Sequence, residues 1–369
     1  MQRASKGVGR SGLSKGSVRF GLYRALVLFL VLLIVPYLII TVLNRDGALD
    51  EMHRSRIRYE VALRIHTDPH WERLPYEQRQ RLVDELVQHE YSRQGFNQPF
   101  VRRNLVHLWR AVSLDVGLGD SPIGSPFEVR PFLAERLQPT ALLFGTAMLL
   151  VFLISFFFAL FASRRRGGLA DRLAVRLVPI SSLPAWFCGI FLVLIFTAAL
   201  GWLPWGGMVD IPPPDTSWQY ALSVLKHMVL PVSAMVISSL FAATYLWRPF
   251  FARHSSDEHA EPAGAGPSSS EAIDSGSFVR STLPGMIKHF VILAASVLMG
   301  SIVLEVVFRW PGLGLALWHA IQVADTAVVL GALVIYGYVL AFLAVMVLLL
   351  DFLDVRFVRR RETVEEQGG

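Results

Sequence analysis

The sequence predicts an all-α, polytopic membrane protein with six transmembrane helices and both termini in the cytoplasm. Hydrophobic residues make up 53% of the 369-residue chain and charged residues only 17%, whereas about a quarter of a soluble chain is charged. The mean hydropathy is +0.46. The apolar residues gather into six long stretches, and lysine and arginine cluster in alternate connections between them.

Each apolar stretch is long enough, or nearly so, to cross about 30 Å of hydrocarbon, which takes about 20 helical residues. The stretches lie at residues 20–43, 140–163, 177–200, 228–247, 286–308 and 327–353. The first is too long, and too poorly followed by small residues, to be a cleaved signal peptide. Pro184 and Pro231 are expected to break or kink the starts of the third and fourth spans.

The basic residues that flank the spans predict the orientation. They lie before the first span, after the second in an RRR run at 164–166, between the fourth and fifth, and after the sixth. All of them share one side if the chain crosses six times, and the positive-inside rule makes that side cytoplasmic. Residues 1–19 and 358–369 are therefore expected to be cytoplasmic tails. The net charge of +6 reflects these flanks rather than nucleic-acid binding, because no basic stripe with interleaved aromatics is present.

Residues 44–139 form the one long connection on the opposite side, and they are expected to be an extracytoplasmic segment. Long translocated segments escape the positive-inside rule, so the arginines of this segment do not contradict the orientation. Within it, residues 74–91 are typical of an amphipathic helix with Leu82, Val83 and Leu86 on one face. This helix could be a platform for an external partner or a cap packed on the protein's own spans.

Residues 140–357 are expected to form a core of transmembrane helices 2–6, which a flexible cytoplasmic loop at 252–277 interrupts. That loop is rich in Ser, Gly, Ala, Pro and acids and has almost no apolar residues, a composition typical of flexible linkers.

Enzymatic chemistry is not predicted. The chain has neither a GxxxxGK[ST] phosphate loop nor an HExxH zinc motif. Its single cysteine, Cys188, and its ten histidines offer no metal-ligand spacing within a span, so we expect no cofactor and no metal. The acids and histidines of the spans do not converge on one depth, which argues against an intramembrane enzyme.

Glu305 is an acidic residue within a predicted span, near the outer end of the fifth. An acid inside a membrane segment is a candidate functional residue. The alternative is an ion pair with Arg309, one turn away on the same helix, or another structural hydrogen bond.

The fourth and fifth spans are rich in small and weakly polar residues, which can line a polar path or allow helices to pack closely. Ser238, Ser239 and Ser296 are the candidates for the path, and tight packing is the alternative.

Seven short stretches, in order, resemble motifs of one protein family. They are residues 113–119 (SLDVGLG), 132–140 (FLAERLQPT), 182–187 (SLPAWF), 200–204 (LGWLP), 225–231 (LKHMVLP), 305–314 (EVVFRWPGLG) and 353–356 (LDVR). The chain resembles the membrane-spanning permease subunits of bacterial ABC importers for oligopeptides, dipeptides and nickel. The most specific piece is 305–314, which is close to the family's ETVFGWPGLG.

The resemblance implies an ABC importer type I permease fold in the cytoplasmic membrane, forming half of a translocation pathway for peptides or similar small solutes. The implied partners are a second permease subunit, cytoplasmic ATP-binding subunits that hydrolyse ATP, and an extracytoplasmic substrate-binding protein. A heterodimer of permeases is expected. The path would also include Glu305, with an outer turn formed by Trp310, Pro311, Gly312 and Gly314.

Two departures from the family pattern concern the ends of the pathway. NRDGA at residues 44–48 replaces the family's Pro-Gly-Asp-Pro segment, and the loop at 252–277 replaces most of its EAA coupling helix, which docks on the ATPase. Only the end of that helix has a counterpart, in Phe278, Val279, Arg280, Leu283 and Pro284. The chain could therefore belong to an asymmetric transporter, or it could be a non-transporting structural subunit derived from the permease fold.

Overall fold

The computed structural model describes residues 33–42, 47–68, 74–115, 127–164, 167–257 and 275–368, with a few isolated positions between them. For residues 252–257, 275–282 and 352–368 it describes the backbone alone. The predicted basic tail at 1–19 lies outside the described residues.

The described chain is helical apart from one antiparallel pair of two-residue strands, β1 (Leu118–Gly119) and β2 (Phe127–Glu128). The helices are α1 (Leu33–Val42), α2 (Ala48–Thr67), α3 (Tyr76–Arg93), α4 (Phe100–Val112), α5 (Val129–Arg164), α6 (Leu169–Arg176), α7 (Ala185–Leu192), α8 (Ser217–Asp257), α9 (Ser275–Val307), α10 (Leu313–Gln322) and α11 (Thr326–Gly368). The predicted all-α membrane class is confirmed.

Four described helices are long and apolar enough to cross a membrane, namely α5, α8, α9 and α11. They correspond to the second, fourth, fifth and sixth predicted spans. A bent pair, Leu169–Ser182 and Ala185–Ala199, provides a fifth if it is counted as one span. The described part of the first predicted span is α1, which is too short to cross alone, so the count of six remains a prediction.

The third predicted span is not the continuous helix expected over 177–200. A 3₁₀ turn at Val178–Ser182 meets α7 at a bend of 97°, and Val193–Ala199 continues α7 as a π-helical turn. The bend falls at Pro184, as predicted, because proline cannot donate to the preceding turn and holds Leu183 in an extended conformation. Pro231, in contrast, lies inside α8 rather than at its start.

Several helices run beyond their apolar portions. α5 begins before residue 140 and contains Pro139, and α8 begins before residue 228. α8 also continues to Asp257 and α9 begins at Ser275, so both ends of the predicted flexible loop 252–277 are helical. Residues 258–274 of that loop lie outside the described residues. The predicted tail at 358–369 is likewise a continuation of α11, whose backbone is helical to Gly368.

The core is built by close packing of α5 against α8 and of α9 against α7, α8 and α11. Small residues of α8 lie fully buried in this interface, including Ala234, Ser239, Ala243 and Thr244. Their small size lets the helix backbones approach closely. Close packing is therefore supported for Ala234, Ala243 and Thr244, while the role of Ser239 in the path stays a prediction.

The helices α2 and α3 pack together around a small hydrophobic core of their own, which includes Ile57, Val61, Val83 and Val87. The predicted amphipathic helix at 74–91 is confirmed as α3. Leu82 and Val83 face the small core as expected, but Leu86 is 41% exposed. α2 and α4 contact the last helix α11, which supports the cap interpretation, while the partner platform stays a prediction.

Two stacked histidines, His53 and His107, lie buried in this small domain with ring centroids 5.0 Å apart. Burial lowers the pKa of both, most for His53, although the hydrogen bond that His107 donates to the Asp50 carboxylate opposes the shift at His107. Below the ordinary pKa of 6.5 the unfolded chain therefore binds more protons than the folded one, so the free energy of unfolding falls as the pH is lowered. We expect hydrogen-exchange protection of α2 and α4 to decrease as the pH is lowered from about 7.5 to about 5. His53→Phe should flatten this dependence, and equal protection at both pH values would contradict it.

Candidate functional site

The helix α9 ends at Val307 and is followed by a left-handed turn. The amide of Arg309 donates to the Val306 carbonyl, and the amide of Trp310 donates to the Glu305 carbonyl, at 3.2 and 2.8 Å. This is the hydrogen-bond pattern of a Schellman motif, whose C′ residue is usually glycine. Here that residue is Arg309, which has a φ of 49°. The family motif ETVFGWPGLG has glycine at the corresponding position. The turn directs the chain away from α9 and back toward α5.

A buried acid then fastens the next helix. Glu305 is fully buried, and its carboxylate accepts hydrogen bonds from the Thr140 hydroxyl at 2.7 Å and from the amides of Gly314 and Leu315 at 2.7 and 3.2 Å. The Thr140 hydroxyl oxygen accepts in turn from the amide of Leu313, at 2.7 Å. Glu305 and Thr140 therefore satisfy three of the amides at the start of α10, which carries no partner of its own for them.

The Glu305 carboxylate also lies at the amino end of α10, where the helix dipole favours a negative charge. The amino end of a helix carries a partial positive charge, which a nearby anion stabilises. Of the alternatives for Glu305, the structure supports the structural hydrogen bond. Arg309 is exposed and is not an ion-pair partner of Glu305, because the left-handed turn carries it away from the buried acid.

Trp310 connects the turn to α5. Its side chain is completely buried, and Nε1 donates to the carbonyl of Pro139 at 2.9 Å. The Pro311 carbonyl accepts a long hydrogen bond, 3.5 Å, from Nη1 of Arg136. Residues of α5 therefore hold the turn at three places, through Arg136, Pro139 and Thr140.

The glycines of the turn are required by close packing. A Cβ on Gly312 would lie 2.5 Å from both Glu305 Oε2 and Thr140 Oγ1, and a Cβ on Gly314 would lie 2.8 Å from the Cα of Ile302. Real Cβ atoms do not come this close to other heavy atoms. The predicted turn residues Glu305, Trp310, Pro311, Gly312 and Gly314 are thus brought together in one compact unit, which we call the anchored turn (residues 305–315 with Thr140).

The loop before α8 docks on the same unit. The amide of Gly207 donates to the carbonyl of Phe308 at 2.8 Å, and a Cβ on Gly206 would lie only 2.4 Å from that oxygen. Farther along, the Ser223 hydroxyl donates to Asp210 at 2.7 Å. This bond, with Lys226 nearby, lowers the pKa of Asp210. The connection before α8 and the connection after α9 therefore meet at the end of α9.

The predicted path serines lie in different surroundings. Ser239 is fully buried and its hydroxyl has no hydrogen-bond partner among the residues that the structure describes, whereas Ser238 is half-buried and donates to the carbonyl of Met235. Ser296 is exposed and lines a groove of about 870 Å³ between α9 and α11, near Lys288 and Asp351.

The predicted coupling remnant lies at the opposite end of α9. Phe278, Val279 and Arg280 belong to the backbone-only part of that helix, and Leu283 and Pro284 are half-buried within it. Nearby, Trp247 and Phe251 of α8 and Met286 of α9 form a buried cluster with Ala159 of α5. An ion pair of 3.0 Å joins Arg248 of α8 to Asp171 of α6. The ends of α5, α8 and α9 that lie away from the anchored turn are therefore packed together.

The role of Thr140 and Pro139 could not be read from the sequence. Thr140 lies 165 positions before Glu305, and nothing in its local pattern distinguishes it from any other threonine at the start of a span. The only signal was that Thr140 and Glu305 each fall in a stretch that resembles a family motif, at 132–140 and 305–314 respectively.

Arg309→Gly is expected to stabilise the protein by about 1 kcal/mol, because a non-glycine residue in the left-handed region carries a penalty of about 1–2 kcal/mol. The measurement is the apparent unfolding temperature of the purified protein in detergent. Arg309→Ala is the matched control, since it removes the same charge but keeps a Cβ in the strained position. An equal gain in both variants would assign the effect to charge rather than to the backbone.

The fold and the site define a helical membrane protein in which a buried acid holds a short helix against the ends of two core helices, α5 and α9. Residues 151–362 match the family described as "Binding-protein-dependent transport system inner membrane component". This is more than half of the chain, and the protein belongs to that family. It is a permease subunit of an ABC importer and a multi-pass protein of the bacterial inner membrane.

Its relatives include the glutathione transport system permease protein GsiC of Shigella flexneri serotype 5b, which is 28% identical over 256 residues. The protein of the same name from Escherichia coli K12 is 27% identical over 256 residues. Each alignment covers 69% of this chain and 77% of the relative. Family membership implies partners of three kinds, namely ATP-binding subunits, a substrate-binding protein and another permease.

Proposed function

We propose that this chain forms half of the translocation pathway of an ATP-driven importer for peptides or similar small solutes, and that the anchored turn closes the outer end of its half. The observation that carries the proposal is the link from Glu305 and Thr140 to the start of α10. It joins the ends of two spanning helices, α5 and α9, through one buried hydrogen-bonded group.

Glu305 and the turn residues Trp310, Pro311, Gly312 and Gly314 would act as the fixed outer wall of the path. Ser238, Ser239 and Ser296 remain the proposed polar positions along it. The unpartnered hydroxyl of Ser239 supports a role that changes with conformation, because a buried hydroxyl without a partner costs about 1–3 kcal/mol. A rotation of α8 during alternating access would give it one.

Coupling to ATP hydrolysis is proposed to act through the inner ends of α8 and α9. Both helices extend toward the segment 258–274, and the cluster of Trp247, Phe251 and Met286 joins them. Movement imposed on this segment, or on the remnant at 278–284, would be transmitted to both helices together. We further propose that the partner permease is a different chain, since a homodimer would contain two segments that lack the EAA motif, and that only the partner subunits hydrolyse ATP.

The relatives named for glutathione support a peptide-like substrate. The alternative is a non-transporting structural subunit, which the altered coupling segment favours.

Co-purification in mild detergent, followed by an ATPase assay in nanodiscs, distinguishes the two. The importer predicts that ATP-binding subunits co-purify and that the binding protein stimulates their hydrolysis. Deleting residues 258–274 should abolish this stimulation if the segment couples. A complex that contains no ATP-binding subunit would overturn the importer in favour of the structural subunit.

A further inference from the structure

A cavity of about 490 Å³, within the size range of small-ligand pockets, lies beside the anchored turn. We call it the outer cavity. Its lining residues include Phe132, Arg136, Pro311, Leu315, His319 and Asp325. Its walls are therefore largely apolar, with two basic side chains, Arg136 and His319, among them.

Arg136 has unused hydrogen-bonding capacity. Its guanidinium stacks over Phe132, 5.1 Å from the ring centroid, and its one hydrogen bond to a described residue is the long contact with the Pro311 carbonyl. Its Nε is buried and has no acceptor within the described part of the chain. No carboxylate of the described residues forms an ion pair with it.

Three other half-buried arginines of this chain have acidic partners, whereas Arg79, like Arg136, has a buried Nε without an acceptor among the described residues. Arg56 pairs with Asp115 at 2.6 Å, Arg103 with Asp50 at 3.0 Å and Arg248 with Asp171 at 3.0 Å. A half-buried guanidinium gains most from an anion that accepts two parallel hydrogen bonds. Arg136 lacks that complement within the described residues.

The acids around the outer cavity already serve the backbone. Asp325 caps α11, because its Oδ1 accepts from the amide of Val328 at 3.0 Å. Glu305 lies on the other side of the turn and accepts from Thr140, Gly314 and Leu315. The forked donor of Arg136 is thus directed at a group that the described residues do not supply.

We infer that the outer cavity binds the carboxylate group of a small solute, with Arg136 donating to both carboxylate oxygens and the apolar walls covering the adjoining part of the molecule. This inference rests on the proposed function, since it assigns to the same path a preference for solutes with a free carboxylate. Binding would draw Arg136 from the weak contact with Pro311, so occupancy and the position of the anchored turn are linked.

The test is the rate at which phenylglyoxal modifies Arg136 in the purified complex in nanodiscs, followed by peptide mass spectrometry. The assay contains neither ATP nor binding protein, so it can fail or succeed independently of import. The probes are trialanine, which has a carboxylate, and trialanine amide, which lacks it. We expect trialanine to slow modification of Arg136 several-fold while the exposed Arg309 is unaffected, and the amide to protect neither.

Three results would overturn the inference. Equal protection by the two probes would show that the carboxylate is not recognised. No protection by either probe would show that the outer cavity does not bind the peptide. Complete resistance of Arg136 before any probe is added would show that a partner subunit occupies the cavity.

A second test measures uptake kinetics. Arg136→Gln should raise the KM for uptake of peptides with a free carboxylate by about tenfold with little change in kcat, and Arg136→Lys should restore part of the loss. A fall in kcat at unchanged KM would indicate a structural role instead.

Discussion

Glu305→Ala is expected to abolish import, while Glu305→Gln retains most of it. The alanine variant leaves the Thr140 hydroxyl and the amides of Gly314 and Leu315 without an acceptor, and each buried donor without a partner costs about 1–3 kcal/mol. Glutamine can accept from both amides through Oε1 and donate to Thr140 through its amide nitrogen. It loses only the interaction of the charge with the helix, about 0.3–2 kcal/mol.

The readout is the initial rate of uptake by the reconstituted complex, with subunit stoichiometry measured in the same preparation. A loss of at least about tenfold is expected for alanine, since about 1.4 kcal/mol corresponds to a factor of ten. Thr140→Val should give a smaller loss, and the double variant Glu305→Ala with Thr140→Val should be less impaired than the sum of the two. Additive effects would show that Glu305 and Thr140 do not act as one unit.

Gly312→Ala is expected to be nearly as damaging, for a steric reason. The added methyl group would lie 2.5 Å from Glu305 Oε2 and from Thr140 Oγ1. Both atoms are held by hydrogen bonds, so neither can move aside without breaking the contact with α10. The start of α10 must therefore shift outward, and we expect uptake to fall at least about tenfold.

Gly145→Ala in α5 is the matched control for this substitution. A Cβ at that position meets no atom within 4 Å, and alanine favours a helix over glycine by about 1 kcal/mol. Its uptake should equal that of the unsubstituted protein. Normal uptake by Gly312→Ala would mean that the anchored turn opens freely during transport and is no fixed wall.

The sequence predicts the helical class and the approximate positions of the spans because both depend on local apolar content. It does not predict where the helices begin. α5 and α8 start well before their apolar portions, and local apolar content carries no signal for a polar first turn. The bend before α7 was predictable, since Pro184 acts through its own ring, but Pro231 lies within a helix whose neighbours hold it.

At the site, the turn residues 305–314 were predicted as a group by resemblance, and Glu305 was singled out as an acid within a span. The nearest charged residue in sequence, Arg309, proved to be irrelevant to it. The partner of Glu305 is Thr140, on another helix, and a contact between distant segments leaves no periodic trace in a single sequence. The walls of the outer cavity come from α5, the anchored turn and α10. Because these segments are distant in sequence, the sequence did not predict the cavity either.

The most direct measurement is ATP-dependent uptake of a mixed library of short peptides into proteoliposomes that contain the whole complex, read by mass spectrometry of the lumen. Complexes with the unsubstituted chain and with Glu305→Ala are compared at equal subunit content. An importer whose path is closed by the anchored turn predicts peptide accumulation only with ATP and only with the unsubstituted chain. ATP hydrolysis without any accumulation by the unsubstituted complex, or equal accumulation by the Glu305→Ala complex, would contradict it.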